Sequence, residues 1–361
     1  MDWIIFIAII VKVLFVIVVL LTFAAVLTWV ERKQSAVTQD RVGANRVEVF
    51  GFRALGMFHI ITDAMKMFIK EDYVPGHVNK MLHFLAPFFP MVAALSVFAV
   101  IPFGDDIVIA GRTIPLAVAN LDSGLIYLFA FSSIAVFGPV LAGWSSHEKY
   151  AMIGAMRAVA QSVSYEIAIG VSVVGIVLVY NSLDLSVIVQ KQGELLFGFI
   201  PKWGIITQPL AFLLFLPAMI AENKRTPFDL PEGESELVAG YFTEYSGMRW
   251  GAFFLAEFVE IAVVAGVIVT LFLGGWQFPY LYADGFHLFG YMLNIPHAVV
   301  VLIEVVTFFA KWIIFIWFLQ QIRWTFPRFR YDQLMRLGWK NLLPLGLLNI
   351  VVTAFVILII N

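Results

Sequence analysis

Residues 3–30 decide the fold class of this chain, and they read WIIFIAIIVKVLFVIVVLLTFAAVLTWV. Lys12 is the one charged side chain within this run. A helix of about 20 apolar residues crosses the ~30 Å hydrocarbon core of a bilayer. The stretch therefore predicts a transmembrane helix rather than a buried helix of a soluble domain.

The same pattern recurs along the whole chain of 361 residues, of which 61% are hydrophobic and 13% charged. A soluble domain has about 25% charged residues. The predicted fold is an all-α polytopic membrane protein, with one integral membrane domain over residues 1–361. It is a bundle of eight transmembrane helices plus an interfacial amphipathic helix. The apolar runs that predict the eight spans lie at about 3–30, 82–102, 121–144, 156–180, 206–221, 250–274, 299–322 and 341–360.

The composition also excludes several kinds of site. The chain has no cysteine, so it lacks the ligands of an iron–sulfur cluster and the means to form a disulfide. We expect no metal site and no covalently bound cofactor in this chain, and electrons would have to arrive from another subunit. The formal net charge of −2 gives no indication of a nucleic-acid partner.

Most of the 23 lysine and arginine residues lie in four loops, at about 31–81, 145–157, 222–249 and 323–340. Loops rich in these residues stay on the cytoplasmic side of a membrane. The distribution predicts that both termini lie on the outer side.

Residues 56–71 read GMFHIITDAMKMFIKE and differ in character from the predicted spans. At helical spacing His59, Asp63, Lys66 and Lys70 share one stripe, and apolar side chains cover the rest. The segment predicts an amphipathic surface helix, lying in the membrane interface or packed on the cytoplasmic ends of the bundle.

Ionisable side chains interrupt the predicted spans at Glu166, Glu257, Glu260, Glu304 and Lys311. Each costs about 2.5–3.5 kcal/mol at the centre of a membrane helix on insertion scales. Glu257 and Glu260 share a helix face, whereas Glu304 and Lys311 are too far apart for a direct pair and would need a bridge. Any one of them could simply satisfy an interhelical hydrogen bond. Together with the acidic loop that follows, they predict a proton relay.

The acidic loop spans residues 221–245 and reads AENKRTPFDLPEGESELVAGYFTEY. Thr226 and Pro227 form a typical helix start, and Asp229 with Glu232 offers a second start one turn later. Apolar residues alternate with the acids, which indicates a partly buried acidic vestibule in which carboxylate pKa values rise. The six carboxylates of the loop belong to Glu222, Asp229, Glu232, Glu234, Glu236 and Glu244.

Five long stretches resemble one family, the NuoH membrane subunits of respiratory complex I, the NADH:quinone oxidoreductase. They are the acidic loop extended to residue 248 and the segments ERKQSAVTQDRVGANRV (31–47), TDAMKMFIKED (62–72), GWSSHEKYAMIGAMRAVAQSVSYE (143–166) and RWTFPRFRYDQLMRLGWKNLLP (323–344). The resemblance implies a component of a proton-translocating enzyme, without a redox cofactor of its own. That component would form the membrane part of a quinone-binding chamber and couple quinone reduction to proton transfer.

The resemblance also implies roles for individual residues. The implied proton relay consists of Glu166, Glu222, Asp229, Glu232, Glu234, Glu236, Glu244 and Glu257. The implied quinone-binding residues are Arg32, Arg41, Asp63, Ala64, Phe228, Arg323, Arg328 and Arg330. The chain departs from the family pattern at Ala44, where a proline is common, and at His59, where a glutamine is common.

The implied partners are the soluble complex I subunits of the quinone site, one carrying the terminal iron–sulfur cluster, together with small neighbouring membrane subunits. Quinone would be the substrate, and a bacterial inner membrane is favoured over a mitochondrial one. Three alternatives stay open at this point. They are the related membrane subunit of a hydrogenase or formate-oxidising complex, a stand-alone proton or ion antiporter, and a purely structural anchor for a soluble arm.

Overall fold

The computed structural model of the protein describes residues 3–109, 111–196, 198–288 and 291–360. The helices are α1 (Trp3–Thr38), α2 (Phe58–Ile69), α3 (Lys80–Leu85), α4 (Phe88–Phe98), α5 (Gly124–Ala135), α6 (Phe137–Ser146), α7 (Lys149–Tyr180), α8 (Leu185–Gln192), α9 (Gly204–Thr207), α10 (Pro209–Glu222), α11 (Glu234–Leu237), α12 (Gly247–Phe272), α13 (His297–Thr325), α14 (Tyr331–Arg336) and α15 (Leu343–Ile360). A π-helical segment, Leu337–Leu342, joins α14 to α15. Short 3₁₀ turns lie at Ala54–Gly56 and Gly240–Phe242.

The strands are short and belong to the connections between helices. Strands β1 (Ile107–Ile109) and β2 (Arg112–Ile114) form one antiparallel hairpin, and β3 (Leu195–Leu196) and β4 (Ile200–Pro201) form another. Strands β5 (Leu281–Tyr282), β6 (Gly285–Leu288) and β7 (Tyr291–Asn294) form a three-stranded antiparallel sheet in that order. The architecture is therefore an all-helical bundle with small β connections.

Seven helical segments in the described ranges are long and apolar enough to cross a membrane, which confirms the polytopic prediction but not the count of eight. They are Ile5–Thr38, Lys80–Phe98, Gly124–Ser146, Lys149–Tyr180, Gly247–Phe272, His297–Thr325 and Tyr331–Ile359.

The run at 206–221, predicted as the fifth span, contains the shorter helix α10 of 14 residues. At 1.5 Å per residue α10 covers about 21 Å, less than the ~30 Å of a hydrocarbon core. The non-helical backbone of Gln208 (φ −136°) separates α9 from α10 and breaks the run. Apolar length in sequence therefore overstates the length of continuous helix here.

Helix α12 lies at the centre of the bundle and packs against α1, α4 and α13. From Ile261 to Phe272 every side chain of α12 is buried. Its sequence there, IAVVAGVIVTLF, is apolar on all sides, as expected of a helix surrounded by other helices. Glu257 and Glu260 precede this segment on the same helix, so the central helix itself carries two of the predicted carboxylates into the bundle.

Glu304 and Lys311 bind separate backbone groups. Glu304 is 4% exposed, and one of its carboxylate oxygens accepts a hydrogen bond from the backbone N–H of Asp105 at 3.1 Å. Lys311 Nζ donates to three carbonyl oxygens within residues 273–277, at 2.7–3.1 Å. The ammonium thus satisfies carbonyl groups just past the C-terminal end of α12, where a positive charge is favoured.

The predicted surface helix is present as α2 and contacts both α1 and α12. None of its residues is buried, and Ile61, Met65 and Phe68 are more than half exposed. Ile61, Met65 and Phe68 therefore form an apolar surface of α2 that the described part of the chain leaves uncovered.

Candidate functional site: a buried chain of charges

The acidic loop connects α10 to α12 and does not open a helix at Thr226, contrary to the prediction. The Thr226–Pro227 peptide is cis, and turns occupy the region up to the single-turn helix α11. The second predicted start, at Asp229, is also wrong. Gln161 on α7 holds the loop instead, because its amide group donates to the carbonyl oxygens of Ala221 and Phe228 at 2.7 and 2.8 Å.

Arg225, in this loop, joins two carboxylates from different helices. Its guanidinium donates to Glu31 of α1 at 2.7 Å and to Glu257 of α12 at 2.5 Å, and it lies 4.5 Å from the centre of the Phe258 ring. The Arg225 side chain is 7% exposed. A guanidinium presents several donors in one plane, so a single residue can satisfy both carboxylates.

The chain of ion pairs continues to the end of α13. Arg323 contacts the other carboxylate oxygen of Glu31 at 2.7 Å. The order in space is therefore Arg323, Glu31, Arg225, Glu257, with positive and negative groups alternating. Direct contacts therefore connect the end of α13 to α12 through Glu31 and Arg225.

Asp229 and Glu232 lie beside this chain in the acidic loop. Burial raises the pKa of Asp229 to about 6 and outweighs the attraction of Arg328, which donates to its carboxylate at 2.9 Å. Burial also raises the pKa of Glu232 well above its ordinary value, and the negative charges of Glu257 and Asp229 add to the effect. Both carboxyl groups thus gain affinity for a proton, as the sequence predicted for a buried vestibule.

The raised pKa of Asp229 predicts a pH signature in stability. Between pH 3.8 and about 6 the folded protein holds a proton on Asp229 that the unfolded chain has lost. Stability from this group therefore falls as the pH rises through that window and is constant above it. We expect the thermal midpoint of the wild type, relative to an Asp229→Asn variant, to decline across the window in denaturation scans of the assembled complex. A difference that grows with pH would contradict this assignment.

Two cavities with a common wall extend from the ion pairs into the bundle. The smaller holds about 350 Å³ and is lined by Glu232, Glu257 and Glu260, among others. The larger holds about 650 Å³ of partly open space and is lined by Glu166, Glu222 and Glu260. Glu260 belongs to both linings, so the two groups of carboxylates meet at this residue.

The remaining acids of the loop take other positions. Glu236 is about half exposed and pairs with Arg157 at 2.5 Å on the surface. Glu244 lines neither cavity, and its backbone carbonyl oxygen lies 3.2 Å from His83 Nε2. The side chain of Glu234 lies outside the part of the chain that the structure describes. The geometry therefore brings Glu166, Glu222, Glu232 and Glu257 to cavities and leaves Glu236 and Glu244 apart from them.

The residues implied for quinone binding form two groups. Arg32 of α1 pairs with Asp63 of α2 at 2.6 Å, and Ala64 is exposed beside this pair. Arg41 contacts Gln39 and Ser35 near the end of α1.

The second group surrounds Phe228, which is 3% exposed and stacks on Phe329 with ring centres 5.3 Å apart. Next to this stack Arg328 contacts Asp229. Arg330 pairs with its near neighbour Asp332, and both of these side chains are exposed to solvent. Arg32 and Ala64 are thus exposed to solvent and Asp63 is partly buried, whereas Phe228 is covered by its neighbours.

Sequence reasoning missed three residues of the site, Glu31, Lys224 and Arg225, and it did not predict that Glu260 lines both cavities. Glu31 looked like the end of a span, and Lys224 and Arg225 like ordinary basic loop residues. The available signal was the isolated ERK at the end of an apolar run, since a lone acid there requires a partner. In the described ranges, no group of three or more His, Asp or Glu side chains is placed to hold a metal ion.

Comparison with known proteins covers almost the entire chain. The family model described as NADH dehydrogenase matches residues 11–354. The NADH-quinone oxidoreductase H-type subunit numbered 2 of Geobacter sulfurreducens is 46% identical over 347 residues, which are 96% of this chain and 95% of that protein. The H-type subunits of NADH-quinone oxidoreductase from Syntrophotalea carbinolica and Thermomicrobium roseum are 45% and 43% identical. These alignments cover 96% and 94% of this chain, and 96% and 92% of the relatives.

Proposed function

The chain belongs to the NuoH family, the H-type membrane subunits of NADH-quinone oxidoreductase or complex I, and from that premise we propose that its buried carboxylates couple quinone reduction to proton transfer. As a member, it is a multi-pass membrane subunit of this enzyme. The proposal concerns the route by which a redox event is communicated through this subunit.

One observation carries the proposal: the alternating ion pairs end at the carboxylates that line the cavities. Glu257 is the junction, since it pairs with Arg225 and also lines the smaller cavity. Glu260 then connects the smaller cavity to the larger one, where Glu166 and Glu222 lie. Protonatable groups in series inside a membrane bundle are typical of proton pathways.

The mechanism we infer begins with negative charge. A quinone that gains electrons near Arg32 and Arg323 attracts those guanidinium groups, as cations stabilise a developing anion. Arg323 then attracts Glu31 less strongly, Glu31 competes more strongly for Arg225, and the pairing of Glu257 weakens. Two unit charges about 4 Å apart attract by about 4 kcal/mol at an effective dielectric constant of about 20, so a small displacement of a charged group changes the proton affinity of its neighbour substantially.

Protons would then move through the vestibule. Asp229 and Glu232 have raised affinity for a proton and lie next to Glu257 in the electrostatic network. We infer that they take up a proton when the pairing of Glu257 weakens and pass it toward Glu260 and Glu166. In this scheme Glu236 and Glu244 shape the loop and stand outside the relay.

The ion pair of exposed Arg32 with partly buried Asp63, with Ala64 exposed beside it, supports a quinone chamber completed by other subunits. A soluble partner would supply the iron–sulfur cluster that reduces the quinone, and small membrane subunits would flank the bundle. We infer from the excess of basic residues in four loops that this chamber lies on the cytoplasmic side of a bacterial inner membrane, with both termini on the outer side. These assignments rest on the charge pattern and on family membership.

Replacement of Glu166 by Gln tests the proposed route. The hydroxyl of Ser133 donates to the carboxylate of Glu166, and a glutamine carbonyl accepts the same bond, so packing is retained. We expect normal assembly with coupled NADH:quinone turnover lowered by about tenfold or more, because a proton carrier is lost. Turnover and proton pumping would be measured in sealed proteoliposomes. Full pumping by the variant would overturn the route, and loss of assembly alone would indicate a structural role.

A further inference from the structure

The larger cavity combines a mostly apolar lining with a few polar groups, as ligand pockets do. It holds about 650 Å³ of partly open space among α4, α5, α7, α10 and α12. Most of its wall is aliphatic or aromatic. Representative apolar wall residues are Ala94, Val97, Leu128, Phe129, Ile169 and Val263. An apolar body would therefore fit against these walls without leaving polar groups unsatisfied.

The charged groups of the same wall are predominantly acidic. Glu166, Glu222 and Glu260 line the cavity, and Lys224 is the one cation in that lining. The Glu222 Oε2 atom is buried and has no hydrogen-bond partner among the described residues. A buried polar atom without a partner is rare and costly, so this oxygen is available to a donor that enters the cavity.

We propose that this cavity binds a hydrophobic organic cation, a molecule with one protonated amine on a compact apolar body. The amine donates to the free oxygen of Glu222 and supplies positive charge to a lining with more acids than bases. The apolar body lies along the residues of α4 and α5. Charge-assisted bonds of this kind are shorter and stronger than those between neutral groups.

Other occupants fit less well. A fatty acid or anionic lipid would add a negative charge beside three carboxylates, and like charges in low dielectric repel. A quinone presents two carbonyl oxygens, which accept and cannot donate to the free Glu222 oxygen, whereas a protonated amine can. The cavity thus differs in chemistry from the quinone-binding residues near α1 and α2.

Occupancy has a consequence that rests on the proposed function. A cation held by Glu222 occupies the space between Glu166 and Glu260, and so interrupts the proposed proton route. Binding itself depends only on the cavity, so the two ideas can be tested separately.

Photolabelling tests the site on the assembled complex in lipid nanodiscs. The probes are a phenylalkylamine carrying a diazirine and the phenylalkyl alcohol of equal length with the same diazirine. We expect the amine to label residues 93–97 and 128–132, and an excess of unlabelled amine, but not unlabelled alcohol, to suppress that labelling. Equal labelling by amine and alcohol, or labelling confined to exposed helices such as α15, would overturn the proposal.

Three further variants refine the test. Ser132→Leu fills the cavity and should abolish specific labelling, whereas the matched control Ser132→Ala leaves the space open and should retain it. Glu222→Gln should weaken competition by the amine about tenfold, the loss expected for one charge-assisted hydrogen bond. Labelling unchanged in both Ser132→Leu and Glu222→Gln would contradict the site.

Turnover measurements separate this inference from the proposed function. If the amine labels the cavity and lowers proton pumping by the wild type, and the alcohol of equal length does neither, both ideas are supported. If it labels the cavity and leaves proton pumping unchanged, the cation site stands and the proton route through this cavity is wrong. If labelling fails, the site is wrong, and the Glu166→Gln experiment still decides the route.

Discussion

Replacement of Arg225 by Met should destabilise the protein by about 3–5 kcal/mol, the cost of removing one partner from a buried ion pair. Glu257 would lose the cation that it contacts at 2.5 Å. Glu31 would keep Arg323 at 2.7 Å. We expect little assembled complex in membranes and almost no quinone reductase activity. Native gels with quantitative immunodetection would measure assembly, and thermal denaturation of any purified complex would measure stability.

A second replacement separates charge from packing. Adding Glu257→Gln to Arg225→Met removes the carboxylate that was left alone, so part of the lost assembly should return. Arg330→Met is a matched control, because Arg330 is 76% exposed and pairs with its near neighbour Asp332 at 3.3 Å. Such surface pairs contribute about 0–1 kcal/mol. Normal assembly of the Arg225→Met single variant would show that the chain of ion pairs is not a stabilising element.

The transmembrane bundle was largely predictable because apolar length is a local property. The runs that became α1, α7, α12 and α13 predicted real helices, although several boundaries shifted. The prediction failed at α10, where apolar residues continue through a break in the helix at Gln208. Hydropathy measures how apolar a segment is, whereas a transmembrane helix also requires unbroken backbone hydrogen bonding.

The acidic residues of the candidate site could be predicted from the sequence, but the basic residues that pair with them could not. An acidic side chain raises the free energy of inserting an apolar helix into a membrane whatever its orientation. Glu166 and Glu257 could therefore be identified as candidate functional residues from the sequence. Arg225 pairs with Glu257, which lies 32 positions later in the sequence, and with Glu31, which lies 194 positions earlier. Pairing over such separations depends on tertiary structure. The helix start at Thr226 failed for a related reason, since Gln161 from α7 fixes that backbone in another conformation.

Two glutamates only four residues apart in the acidic loop should behave oppositely when changed to Gln. Glu232 is partly buried, lines the smaller cavity and has a pKa raised chiefly by burial. Glu236 is 48% exposed and pairs with Arg157 at the surface. Sequence alone assigns both to the relay, so the contrast tests what the geometry adds.

Glu232→Gln should leave assembly intact, because glutamine resembles the protonated acid that the raised pKa favours. It cannot exchange the proton, so coupled turnover should fall by at least about tenfold. Glu236→Gln should change stability by less than about 1 kcal/mol and leave turnover close to that of the wild type, since it alters one exposed ion pair. Quinone reductase rates and proton pumping in the same proteoliposomes would measure both. Equal losses in the two variants would mean that the loop acts through its total charge, and that the cavity beside Glu232 has no special part in proton transfer.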